Sequence, residues 1–189
     1  MLYLINTIES RKVEYMRTYD QLISLGIDPS NIQIDFGYTH EDIKVEKSYH
    51  LIHYNFLERV LPIIINLNCD FVYLEDNVHP IKKVEDIDID KNKINWLGYI
   101  FTQKAFTCGI KMVYIPIDIC KDIYAKRLSF KPQFIDRLLR NYGVKNDCLK
   151  ISFNYIRLYD PTKSRWGNDK QKKLKCKRKA KLSVITSNL

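Results

Sequence analysis

Up to Glu75 the chain alternates short β-type apolar runs with stretches of helical periodicity, and that alternation leaves few architectures open. Leu2-Tyr3-Leu4-Ile5-Asn6 reads as a buried strand. From Ser10 a helix follows, with Val13, Met16, Tyr19, Leu22 and Ile23 at helical spacing and Gly26 closing it. Ile27 to Asn31 is a turn, and Ile32-Gln33-Ile34-Asp35-Phe36 alternates like a second strand. Gly37 to Lys47 is polar and reads as a surface loop. A second helix spans Ser48 to Asn66, with Pro62 inside it where it should kink or split the helix. Phe71-Val72-Tyr73-Leu74 is the third strand, too short and too β-prone for a helix. Strand, helix, strand, helix, strand predicts an α/β domain with a mostly parallel sheet and right-handed crossovers.

The third strand runs straight into Glu75-Asp76-Asn77-Val78-His79-Pro80. Ligands of open α/β sheets sit just outside the carboxyl ends of the strands, so two carboxylates and a carboxamide at this point are placed for chemistry. The ordinary alternative is a solvated turn, because Asp and Asn favour turns through local hydrogen bonds.

Beyond this loop, Ile81 to Lys93 is charged and reads as loop, and Ile94 to Ile100 as a strand. Thr107 to Pro116 reads as a further strand and Ile117 to Arg127 as a helix starting near Pro116. Phe134 to Gly143 is a last helix, ended by Gly143, and Ile151 to Tyr159 alternates like a last strand. From Asp160 the chain is polar without apolar periodicity. This sets a boundary between a domain over 1–160 and a basic tail over 161–189.

The net charge of +9 sits mainly in that tail. Lys170, Lys172, Lys173, Lys175, Lys177, Arg178, Lys179 and Lys181 carry it with no acid among them, leaving the rest of the chain near neutral. A solvated tail is one reading. Contact with a polyanion is the other, because Lys and Arg on phosphates release counterions. Arg157, Lys163 and Arg165 beside Trp166 extend the basic and aromatic character toward nucleic-acid backbone.

The five cysteines form no CxxC pair, which argues against a zinc knuckle and a full disulfide framework and for reduced thiols. No apolar run reaches 18 residues and Met1 to Thr7 is too short for a secretory core, so a cytoplasmic protein without a membrane span is expected. Thirteen Tyr and eight Phe exceed what the core needs, and some should line a groove.

Taken in order, these residues resemble glycosyltransferase family 25, the lipooligosaccharide and procollagen galactosyltransferases, over roughly residues 2 to 160. The resemblance rests on Ile5-Asn6, Arg11, Met16, Leu25-Gly26-Ile27, Ser48 with His50 or His53, Leu74-Glu75-Asp76, Leu97-Gly98, Gly109 with Tyr114, and Asp136 before Leu138-Leu139. It implies a single GT-A-like, Rossmann-like domain that uses a nucleotide-sugar donor, a UDP-sugar. It implies donor contacts from Asn6, Arg11, Glu75, Asp76 and Asn77, and Asp136 as the base facing the acceptor. The family's strand ends Leu-Glu-Asp-Asp, whereas this chain has Asn77 at the last position. An amide oxygen is a weaker ligand than a carboxylate for a hard cation. Mn²⁺ or Mg²⁺ would bind through Asp76 and Asn77 with help from His79 or Glu75, or transfer proceeds without metal.

Three ordinary alternatives stand beside these roles: Asp136 as a surface partner of Arg140 at i+4, Arg11 as a solvated cation in a first helical turn, and His50 and His53 as packed or surface residues. For the acceptor, the basic tail points to a hydroxymethylated base in phage DNA, flipped out to reach the donor. A saccharide or protein hydroxyl is the alternative, and a non-catalytic nucleic-acid-binding protein is a further one.

Overall fold

The computed structural model describes residues 1–36, 48–97, 112–152 and 155–158. The chain divides into two compact units, Met1–Arg157 and Leu158–Leu189, and the first holds all the described residues but Leu158.

Among the described residues, eight strands form two sheets. The larger has the order β2(Ile32–Asp35), β1(Leu2–Asn6), β3(Phe71–Glu75), β6(Met112–Ile115), β5(Ile94–Trp96) and β7(Leu149–Ile151). β1 is parallel to both β2 and β3, and β5 is parallel to β7. β6 is antiparallel to both of its neighbours. The second sheet pairs β4(Val78–Pro80) with β8(Ile156–Leu158). The architecture is thus α/β, with a mostly parallel six-stranded sheet flanked by helices.

Every residue of β1 is buried, and so are Phe71 to Leu74 and all of β6. Strands covered on both faces read as nearly continuous apolar runs, as these three do up to the polar Asn6 that ends β1. Each Leu, Ile, Val or Phe buried there contributes about 1.5–3 kcal/mol.

Helix α1(Lys12–Ser24) follows a 3₁₀ turn at Glu9–Arg11 and packs on β1 and β4. Its end is a Schellman turn. Gly26 takes φ +82°, its N–H reaches the Ile23 carbonyl at 2.8 Å, and the Ile27 N–H reaches Leu22 at 3.1 Å. Pro62 neither breaks nor splits the second helix. α2(Ser48–Tyr54) runs through a π-helical segment, Asn55–Val60, into α3(Leu61–Leu67). The Leu61 N–H bonds to Phe56 O, five residues back. Widening the helix just before Pro62 removes the register in which the ring meets the preceding turn.

Three further expectations are corrected. Gly143 does not end the last helix, since α5(Ile135–Lys145) continues past it. A Cβ at Gly143 would stand 2.9 Å from Leu149 Cβ, so this glycine gives β7 room to cross the helix. The run Ile151 to Tyr159 is not one strand: Ile151 ends β7 in the large sheet, and Ile156–Leu158 belongs to the small one. β4 lies where a loop was read, within Val78 to Pro80.

α4(Ile117–Ala125) starts after Pro116 as expected, and Asp70 Oδ1 accepts from the Ile117 N–H at 2.8 Å. Cys69, Cys120 and Cys148 are free thiols. The predicted loop at Gly37 to Lys47, Gly98, Gly109, the first parts of the strands read at Thr107 and the tail lie outside the described residues. Among the described residues, no helix is long and apolar enough to cross a membrane.

Candidate active site

The three parallel strands β2, β1 and β3 end level with one another, because Asn6 is in register with both Asp35 and Glu75. Their carboxyl ends bring together Asn6-Thr7, Asp35 and Glu75-Asp76-Asn77, residues up to 71 positions apart in the sequence. Asn6, Thr7, Asp35, Asp76 and Asn77 are all buried there. Buried polar side chains at a strand end are tolerated only when they are hydrogen-bonded.

Asp76 is 1% exposed. Its Oδ2 accepts from the Thr7 hydroxyl at 2.8 Å and from Arg11 Nε at 2.8 Å. Its backbone carbonyl lies 3.0 Å from the Thr18 hydroxyl of α1, which is also 2.8 Å from the Val78 carbonyl. Gln21 Nε2 holds the Pro80 carbonyl at 2.8 Å. The acidic loop is thereby fastened to α1 at three points, so it is not the solvated turn of the ordinary reading. Arg11 is not a solvated cation either, since its side chain is 11% exposed and ion-paired with Asp76.

A second polar cluster sits beside it. Asn6 Nδ2 donates to Asp35 Oδ2 at 2.8 Å, and Asn55 Nδ2 reaches the same oxygen at 3.4 Å. Arg59 pairs with Asp35 Oδ1 and donates from Nε to Asn55 Oδ1 at 2.6 Å. Burial lowers the pKa of Arg59 from the usual guanidinium value. Asn55 and Arg59 both come from the π-helical segment, which aims them at one carboxylate.

Asp136 lies half-buried in the first turn of α5 and accepts from the Arg137 N–H at 2.9 Å. Burial raises its pKa above the usual carboxylate range, and the negative charge of Glu75 raises it further. The electrostatic coupling links the predicted base to the acidic loop. His53 is buried in the α2 helix, and burial lowers its pKa so that the neutral ring is favoured.

Two polar atoms of the site lack a partner among the described residues: Arg11 Nη2 and Asn77 Oδ1, the latter on a side chain only 7% exposed. The donor set fits a divalent cation poorly. Among the described residues no three His, Cys, Asp or Glu groups come together, and His79 sits on β4 rather than in such a cluster. Asp76, the buried carboxylate of the acidic loop, already carries a guanidinium and a hydroxyl on the same oxygen, and Asp35 is paired with Arg59. A unit-charge pair at about 4 Å is worth about 4 kcal/mol at an effective dielectric of 20, so a divalent cation there meets about twice that in repulsion from Arg11.

Sequence reasoning missed Thr7, Thr18, Asp35, Asn55 and Arg59. Asp35 carried a readable signal, as the acid ending the second strand just as Glu75 and Asp76 end the third. The predicted nucleic-acid residues Lys163 and Arg165 and those from Lys170 to Lys181 lie outside the described residues, and only the backbone of Arg157 is described, in β8. A cavity of about 230 Å³ lined by Tyr3, Asp28, Lys83 and Glu85 opens at the other end of β1, beside Met1. It is remote from the carboxyl ends where ligands of such sheets bind.

No protein-family model and no curated protein matches the chain. Solved structures do. A glycosyltransferase involved in the glycosylation of the major capsid of PBCV-1 superposes with a TM-score of 0.51 at 10% identity, covering 82% of this chain and 82% of its own. An active-site mutant of LgtC gives 0.48 at 11% identity, over 80% of this chain and 72% of its own. The galactosyltransferase LgtC with donor and acceptor sugar analogues gives 0.46 at 10% identity, over 80% and 73%. The first of these shares its fold with the chain, so the α/β domain built around Asp76 has the GT-A-like fold of a glycosyltransferase.

Proposed function

We propose that the protein moves a sugar from a nucleotide-sugar donor, a UDP-sugar, to a hydroxyl, and that the acceptor is a hydroxymethylated cytosine in phage DNA. Fold alone does not carry function, so the reading rests on the site. The single observation that supports it most is the buried cluster of Asn6, Thr7, Arg11, Asp76 and Asn77 at the carboxyl ends of three parallel strands. In this reading Glu75, Asp76, Asn77, Asn6 and Arg11 face the donor. Asp136 takes the acceptor proton as the new bond to the sugar carbon forms. The old bond from that carbon to the diphosphate breaks, and its electron pair leaves on the nucleoside diphosphate. A carboxylate whose pKa is raised by burial is a better base for this step.

The DNA acceptor rests on the basic run from Lys170 to Lys181 with Arg157, Lys163 and Arg165. A protein or glycan hydroxyl is the second acceptor reading, favoured by the capsid glycosylation described for the solved glycosyltransferase of similar fold.

The experiment is a turnover assay on the full chain with a panel of UDP-sugars, with Mn²⁺ or EDTA, and with duplex DNA carrying or lacking hydroxymethylcytosine. Transfer only to the modified duplex is the expected result. Donor hydrolysis without transfer to DNA moves the acceptor to proteins or glycans. The absence of turnover with every donor overturns the enzyme reading in favour of a nucleic-acid-binding protein.

A further inference from the structure

Arg11 stands at the end of the 3₁₀ turn that leads from β1 into α1, with its N–H bonded to the Ile8 carbonyl at 3.0 Å. The turn directs its side chain onto Asp76 at the end of β3. One oxygen, Asp76 Oδ2, takes both the Thr7 hydroxyl and Arg11 Nε, each at 2.8 Å. The pair fixes the plane of the guanidinium through its Nε. Nη2 is buried with no partner among the described residues, and so is the acceptor oxygen of Asn77 next in the chain.

A buried donor on the partner of Asp76 and a buried acceptor on its chain neighbour, both left open beside a fixed cation, describe a ligand of mixed character. Anionic oxygens satisfy Nη2, and a hydroxyl satisfies Asn77 Oδ1. A nucleoside diphosphate linked to a sugar carries both. A divalent cation satisfies neither Nη2 nor its charge, and would have to displace the guanidinium from the only buried carboxylate of the acidic loop.

Resting on the glycosyltransferase reading above, we propose that this chain neutralises the donor diphosphate with the Arg11 guanidinium, held in place by Asp76 and Thr7, and needs no divalent metal to bind its donor. Asp76 then acts as a positioning residue, whose partner is Arg11 rather than a metal ion.

The test is calorimetric binding of UDP, GDP and uridine to the full chain, in EDTA and in Mn²⁺. One of the two diphosphates is expected to bind with affinities within about twofold in the two buffers, since a protein cation replaces the metal. Adding the protein to Mn²⁺ and that diphosphate should lower the free Mn²⁺ resonance no further than the diphosphate alone does, a readout that needs no variant. Arg11→Met with Asp76→Asn removes both charges at once and avoids a stranded carboxylate. It is expected to lower diphosphate affinity tenfold or more and to leave uridine binding within about twofold. Arg11→Lys keeps the charge without the planar fork, and should recover only part of the loss. Diphosphate binding that requires Mn²⁺, or an unchanged affinity in the double variant, overturns the proposal while leaving the enzyme reading in place. Binding of neither diphosphate in either buffer overturns the nucleotide-sugar reading itself, and the proposal with it.

Discussion

Asp76 follows Glu75 in the chain and Asp136 feels the charge of Glu75, yet the two carboxylates have opposite surroundings. Asp76 is sealed in an ion pair with Arg11, whereas Asp136 is half-buried with a raised pKa. Removing one partner of a buried pair leaves the other charge uncompensated, at a cost of roughly 3–5 kcal/mol. Asp76→Asn alone is therefore expected to lose about that much stability in urea denaturation, and the double change with Arg11→Met to lose less. Asp136→Asn should lower transfer by about 10²–10⁴-fold, with donor affinity kept. Its effect on the fold runs the other way. A raised folded pKa means that the native state favours the protonated acid, so stability present below the usual carboxylate pKa is lost as pH rises through the folded value. At neutral pH the amide spares that loss, and the variant should melt higher than the parent, with the gap closing in acid. His53 has the reverse sign. Its lowered pKa favours the neutral ring, so stability is full above about pH 6.5 and falls as pH drops below it. His53→Gln should flatten that acid limb of the melting curve.

Elements differ in what holds them, and two glycines make the difference measurable. Gly26 has open space around its missing Cβ but sits at φ +82°. Gly26→Ala should cost about 1–2 kcal/mol, and Gly26→Asn less, because Asn tolerates the left-handed region. Gly143 has helical backbone but no room against Leu149. There Ala and Asn should both destabilise, by about 1–3 kcal/mol, despite the better helix propensity of Ala. The first glycine was legible in the sequence because a helix end is a local event. The second was not, because its constraint comes from a strand that follows only after the helix has ended. The same contrast runs through the rest of the chain. β1 and β3 announce themselves by apolar runs and β2 by alternation, while β4 has three residues and depends on a partner at Ile156–Leu158. Pro62 was visible, but the π-helical segment that absorbs it was not. At the site, the strand-end rule found Asp76 and Asn77. It could not reveal that Thr7, Arg11 and Thr18 hold the acidic loop, since those contacts span 58 to 69 positions of sequence.

For the molecule as a whole, charge and fold are separable. The excess positive charge is concentrated in the run from Lys170 to Lys181, after the α/β domain. If that run binds DNA backbone, deleting residues 170–189 should flatten the salt dependence of duplex binding, by up to about seven in the slope of log K against log salt for eight contacts. UDP affinity should be unchanged by the deletion. An unaltered slope would remove the main support for a DNA acceptor.

The strand order also carries a consequence for how the protein is made. β1 is synthesised before β2 and β3, yet it lies between them and hydrogen-bonds to both. Its second neighbour does not exist until Glu75 has been added. Beyond β3 the order is β6, β5, β7, so β5 is made before the strand that joins it to β3 and can enter the sheet only once Ile115 has been added. Ribosome-bound chains halted before and after β3 should therefore differ sharply in protease resistance, and the shorter ones will carry a naked apolar strand that a holdase chaperone must cover.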